Sequence, residues 1–142
     1  MSNEKWHRRF LALAEHIAQW SKDPSTKVGA VIVDPDKRVG SLGYNGFPRG
    51  FQDLPERLEN RDVKYKAIIH GERNALPFAR GSVKGCLLYT WPFMPCSVCA
   101  GMVINAGISQ VIAPVFDNPR WNEDMAFAKE IFEEAGVEVR LL

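Results

Sequence analysis

Two short patterns constrain this chain more than anything else in it: His70-Gly71-Glu72 and, later, Pro95-Cys96-Ser97-Val98-Cys99. Each reads as the start of a helix. Thiolates and imidazole bind zinc well, and a Cys-x-x-Cys at a helix start lets two sulfurs reach one ion while free N–H groups and the helix dipole stabilise their charge. Pro95 fits just before that first turn, where its missing donor costs little. One imidazole and two thiols leave the fourth position on a zinc ion open, which favours a catalytic site over a structural one. A single ion held by His70, Cys96 and Cys99 requires the fold to bring both helix starts together.

Taken alone, Cys-x-x-Cys also suits a redox pair or half of a closed structural zinc site. A thioredoxin-like pair follows a different strand-turn context, and a closed site needs a fourth protein ligand. His7 and His16 lie nine positions apart on the first helix, on opposite faces at about 100° per residue, and read as ordinary helix residues. Glu72 stands two positions beyond His70, so on a helix the two side chains diverge. That suits a carboxylate beside the metal rather than on it. A water on zinc has its pKa lowered to about 7, and a nearby carboxylate can take its proton and deliver it to a substrate.

A length of 142 residues suits one domain, 1–142, with a sizeable core. Hydrophobic content of 46% with 25% charged residues describes a soluble globular chain. Lys and Arg number 18 against 17 Asp and Glu, so no broad polyanion-binding face is expected and a nucleic-acid partner is disfavoured. The N-terminus carries no apolar signal core and no apolar run reaches membrane-spanning length, so no membrane partner and a cytoplasmic location are expected. Of three cysteines, Cys86 lies in an apolar run and reads as an inert buried thiol.

Along the chain, Asn3 is the expected cap of a first helix whose stripe is Trp6, Phe10, Leu13, Ala14 and Ile17, ending near Trp20. Two strand-like runs, 28–33 and 39–44, flank the turn Asp34-Pro35-Asp36-Lys37 and read as an antiparallel hairpin. Residues 45 to about 66 read as a long irregular loop. Helix and strand then alternate: a helix from His70 that Pro77 ends or kinks, a strand 86–91, a helix 96–106 closed by Gly107, a strand 111–115, a helix capped by Asn122, and a closing strand 137–141. This order predicts a mixed sheet with helices on both faces.

The pattern H-x-E…P-C-x-x-C belongs to the zinc nucleobase deaminases. With Ser21-Lys22-Asp23-Pro24-Ser25, Val28-Gly29-Ala30 and Gly43-Tyr44-Asn45-Gly46-Phe47-Pro48-Arg49-Gly50, the chain resembles the deoxycytidylate (dCMP) deaminases over nearly its whole length. The resemblance implies an α/β protein with a three-layer α/β/α cytidine deaminase-like fold and a five-stranded mixed sheet. It implies hydrolysis of dCMP to dUMP and ammonia with one zinc per chain, a homohexamer, and regulation by dCTP and dTTP at a site near subunit contacts to which Gly43, Tyr44 and Gly46 contribute. By position, Asn45 would contact the deoxyribose, and Lys22, Ser25, Arg49 or their neighbours would meet phosphate. As residues alone, Asn45 also suits a plain turn, and the other three suit a solvated loop. The usual H-A-E is His70-Gly71-Glu72 here, a change that costs helix propensity of up to ~1 kcal/mol but removes only a methyl beside the site. Deamination of free nucleosides, guanine, dCTP or a tRNA adenosine remains open on the same scaffold, as does a zinc-stabilised nucleotide sensor without turnover.

Overall fold

The computed structural model describes residues 2–142. Helix α1 (Ser2–Ala18) buries Phe10, Ala14 and Ile17, with Trp6 and Leu13 half-buried beside them. It starts at Ser2, so Asn3 lies inside the first turn and is not the cap. Tightening bonds from the N–H groups of Gln19, Trp20 and Ser21 close its end. The hairpin follows as expected: β1 (Gly29–Val33) runs antiparallel to β2 (Val39–Tyr44). Its turn is held by Asp34, whose Oδ1 accepts from the N–H groups of Asp36 and Arg38, both at 2.9 Å.

The expected loop after β2 departs from irregularity. It contains two short helices, α2 (Pro55–Leu58) and α3 (Arg61–Ala67). Neither buries a residue, so no apolar stripe betrays them. Asn60 caps α3 by accepting from the N–H groups of Asp62 and Val63, the standard means of satisfying free donors at a helix start.

The alternating half continues with α4 (Gly71–Phe78), β3 (Leu87–Trp91), α5 (Ser97–Asn105), β4 (Gln110–Ala113), α6 (Asn122–Glu134) and β5 (Glu138–Leu141). Pro77 sits in the last turn of α4 and Gly107 takes φ 94° after α5. Asn122 is not the cap of α6; Trp121 holds that position, and the Asn122 side chain instead accepts from Asn118 N–H and donates to Asp117. The preceding loop, rich in groups that can accept, captures the amide before the helix can use it.

The five strands form one sheet in the order β2-β1-β3-β4-β5. β1 is antiparallel to β2 and β3, whereas β3, β4 and β5 run parallel. One face packs Val31, Val33, Tyr89 and Ile112 against α1. The other packs Ala30, Ile32, Leu88 and Val111 against residues of α4, α5 and α6. This is the expected three-layer α/β/α arrangement. His7 is buried against the first face with its Nδ1 2.7 Å from the Tyr89 hydroxyl, while His16 is exposed on the opposite side of α1. Cys86 is buried, and burial pushes its thiol pKa up.

Two glycines let helices touch strand backbone. A Cβ at Gly29 would sit 2.0 Å from the Ala14 carbonyl oxygen, and one at Gly43 would sit 2.6 Å from Ala75 N and 2.7 Å from the Gly71 carbonyl oxygen. Gly29→Ala and Gly43→Ala should each lower stability by about 1–3 kcal/mol or more, because backbone cannot move aside as a rotamer can. The check is a urea midpoint, with Gly81→Ala as the control: its added methyl meets nothing within 4 Å and should leave the midpoint in place.

Candidate active site

β1 begins where β3 ends, with Gly29 opposite Trp91, and the site is assembled at that end of the sheet. Beyond Trp91 a cis bond to Pro92 leads through Phe93 to Pro95 and into α5. Beyond Tyr44 the chain forms a two-way bridge between Gly46 and Ile69, with N···O distances of 3.0 and 2.7 Å. That bridge delivers His70 to the start of α4. His70 and Cys96 are the N-cap residues of α4 and α5, both with extended backbone and neither using its side chain as a cap. The two donors are thereby left free for a metal.

His70 Nδ1 lies 3.2 Å from Cys99 Sγ and 3.6 Å from Cys96 Sγ, and 3.9 Å from Glu72 Oε1. All four donor groups lie within 4.8 Å of one another. Ligands at about 2.0–2.1 Å (nitrogen) and 2.3 Å (sulfur) in a tetrahedron stand about 3.6 Å apart; the His70–Cys96 separation matches such an edge, and the His70–Cys99 separation is shorter than one. The donor set fits zinc, with His70 offering nitrogen, Cys96 and Cys99 offering sulfur and Glu72 a carboxylate beside them. Among the described residues no other three such groups converge.

Electrostatics follow from crowding acids around one imidazole. The Cys96 thiol is held well below its usual range by hydrogen bonding with Cys99 and with His70. Cys99 is pushed far up, because Cys96 takes the shared proton's charge-stabilising contacts and burial and Glu72 add to the cost of a second anion. Pairing with Cys96 raises His70. Glu72 is 3% exposed, and burial raises its carboxyl above the usual range against the opposing pull of His70 and Cys99.

These groups open on a cavity of about 190 Å³. Asp23, Thr26, Asn45, His70, Glu72 and Cys96 supply its polar lining; Val28, Ile68, Phe93, Trp121 and Met125 supply its apolar lining. Of the residues singled out from sequence for substrate, Asn45 is on this wall. Its Oδ1 accepts from Val28 N–H at 2.9 Å and its Nδ2 donates to the Thr26 carbonyl at 2.9 Å and weakly to Asp23. It therefore ties loop 21–28 to the end of β2. Lys22, Ser25 and Arg49 do not line the cavity. Lys22 is exposed and pairs with Asp53, and the exposed Arg49 stacks over Phe78. Ser25 Oγ accepts from Lys64 Nζ at 3.3 Å.

Among the effector candidates, Gly43 is packed under α4, Tyr44 stands edge-on to Trp20 at 6.2 Å on the surface, and Gly46 belongs to the bridge before His70. Lys64 is a residue that sequence reading missed: it reaches from α3 to pair with the buried Asp23 at 2.8 Å. Only the helical register of α3 could have revealed it, and that register has no apolar stripe to read.

The layers, the topology and the cluster of His70, Glu72, Cys96 and Cys99 suit a zinc enzyme of the nucleobase-deaminase type. The family model described as the cytidine and deoxycytidylate deaminase zinc-binding region matches residues 4–114. The chain is 41% identical to an "uncharacterized deaminase in luxG 3'region" of Aliivibrio fischeri, covering 97% of this chain and 94% of that protein. It is 42% identical to the deoxycytidylate deaminase of Mus musculus, covering 96% and 79%. A crystal structure of the dCMP deaminase from cyanophage S-TIM5 in complex with dCMP and dUMP superposes with TM-score 0.75 at 25% identity over 95% of each chain. The chain belongs to the cytidine and deoxycytidylate deaminase family, and zinc is its metal.

The raised pKa of Cys99 opposes loss of the proton that a zinc-bound thiolate must give up. Zinc uptake in weak buffer near neutral pH should therefore release protons, and affinity should fall as pH falls. A pH-indicator titration measures it, and uptake without proton release would contradict the assigned charge state.

Proposed function

We propose that this protein hydrolyses dCMP to dUMP and ammonia. The observation that carries the reaction type is the buried Glu72 carboxyl, 3.9 Å from His70 Nδ1 and facing the cavity. The substrate comes from the similarity to deoxycytidylate deaminases across nearly the whole chain. His70, Cys96 and Cys99 would hold a zinc ion, which would supply an acidified water as nucleophile near neutral pH. Glu72 does the proton work: it would accept a proton from the attacking water, pass it to cytosine N3 as C4 gains the oxygen, and carry the second proton from the added hydroxyl to the C4 amine, which leaves as ammonia. Its burial favours the protonated form between these transfers. The apolar walls at Phe93, Val28 and Ile68 keep the base away from bulk water.

Glu72→Gln should bind zinc normally yet lose about 10²-fold or more in turnover. Metal content and ammonia release measured on one preparation decide it; substantial turnover with zinc bound would remove Glu72 from this role.

For the nucleotide, we assign Asn45 to the deoxyribose and the mouth formed by Ser25, with Lys22 and Arg49 farther out, to the phosphate. Lys64 joins Ser25 there: an ammonium has three donors, and two are used on Asp23 and Ser25. A second reading, in which the substrate lacks phosphate, is favoured by one observation: the cavity lining includes Asp23 but no lysine or arginine. Ammonia release from dCMP, deoxycytidine, dCTP and guanine under one set of conditions separates the readings. Ser25→Ala, which leaves the Lys64–Asp23 pair in place, should raise KM for dCMP more than for deoxycytidine; equal effects on both would favour the phosphate-free reading.

Regulation by dCTP and dTTP in a hexamer, in the cytoplasm, is part of the same proposal. The exposed Trp20 and Tyr44 pair beside Gly46 supports a subunit contact there. Solution mass, and rates with and without each triphosphate, test it.

A further inference from the structure

We infer that Asp124 is a positioning residue that fixes the metal-bearing turn of α5 against the cavity wall formed by α6. A helix leaves its first N–H groups without intrahelical partners, and the N-cap side chain normally supplies an acceptor. Here the N-cap is Cys96, which makes no such bond because its sulfur faces the donor cluster. The acceptor comes from another helix. Asp124, in the first turn of α6, accepts from Ser97 N–H through Oδ2 at 3.1 Å and from the Ser97 hydroxyl through Oδ1 at 2.5 Å.

Ser97 directly follows Cys96, while Trp121 and Met125 flank Asp124 in sequence and line the cavity together with Cys96. One carboxylate thus joins a zinc ligand's backbone to the wall that faces the substrate. Its negative charge is favoured by the two helix starts it touches, yet the same charge opposes the Cys96 and Cys99 thiolates at the start of α5. What it contributes is a two-point geometric clamp, and an amide of the same shape can reproduce both bonds: Asn Oδ1 accepts from Ser97 N–H, and Nδ2 donates to the Ser97 hydroxyl.

The test separates shape from charge, and its first readout does not depend on the identity of the substrate. Zinc affinity is measured by competition with a chromophoric chelator at fixed pH for the wild type, Asp124→Asn, Asp124→Ala and Ser97→Ala. Partners that orient metal ligands typically contribute 10–100-fold to affinity, so Asp124→Ala should weaken zinc binding by about tenfold or more while Asp124→Asn stays near the wild type. Ser97→Ala, which keeps the backbone bond, should fall between them. The second readout rests on the dCMP reading: Asp124→Ala should raise KM for dCMP more than it lowers kcat, because Trp121 and Met125 lose their anchor. Unchanged zinc affinity in Asp124→Ala, or equal losses in the Asn and Ala variants, would overturn the inference. Should Asp124→Ala fail to fold, Ser97→Ala decides: zinc affinity below that of Asp124→Asn supports the clamp, and wild-type affinity refutes it.

Discussion

The contact on which the site depends is backbone against backbone, where β2 at Gly43 meets the first turns of α4 at Gly71 and Ala75. Without a side chain at Gly43, α4 lies directly on the strand, and its start is held at the end of the sheet where β3 feeds into α5. His70 and Glu72 then face Cys96 and Cys99 without any long side chain having to reach. Gly71 belongs to the same contact: a Cβ there would stand 3.3 Å from the Val28 carbonyl oxygen. A methyl there would need the Val28 carbonyl to give by a few tenths of an ångström, and glycine at a first helical residue loses less propensity than it would mid-helix. Packing and the geometry of the site are therefore one constraint, since moving α4 outward would displace His70 and Glu72 together.

Bringing two thiols and a carboxyl into a buried corner with one imidazole is electrostatically unfavourable unless a cation joins them. The opposed shifts of Cys96 and Cys99 express this: the metal-free site supports one thiolate and resists the second. A divalent ion reverses that balance, so metal binding energy also stabilises the convergence of α4 and α5. Among the protein groups alone, burial raises the pKa of Glu72, and the carboxyl lies on the cavity wall beside His70 and Cys96.

Much of this was legible in the sequence because it depended on strong local signals. The stripe of α1, the hairpin runs and the alternating second half all follow from apolar periodicity, and the layers follow from their order. The metal ligands were legible because few residue types can do their work. What escaped reading was set by tertiary partners. Asn122 looks like a cap but is taken by Asn118 and Asp117; α3 has no buried face; and Asp124 satisfies a helix start that belongs to another element. Lys64 escaped for the same reason, as its partner Asp23 is distant in sequence and belongs to a different loop.

That last pair bears on how the cavity keeps its shape before a substrate arrives. Asp23 is buried, and an unpaired carboxylate there would be costly, of order 3–5 kcal/mol when one partner of a buried pair is removed. Lys64 supplies the countercharge, Ser25 N–H donates to the same carboxylate at 2.8 Å, and Asn45 closes the loop from β2. The wall is thus preorganised by an interaction that no ligand has to form. A polar ligand at the mouth meets an ammonium whose position is already fixed and which retains a donor, so recognition of an anion there need not break the pair that holds the wall. Selectivity for a charged substrate can then be added at the rim while the interior stays shaped for a neutral heterocycle.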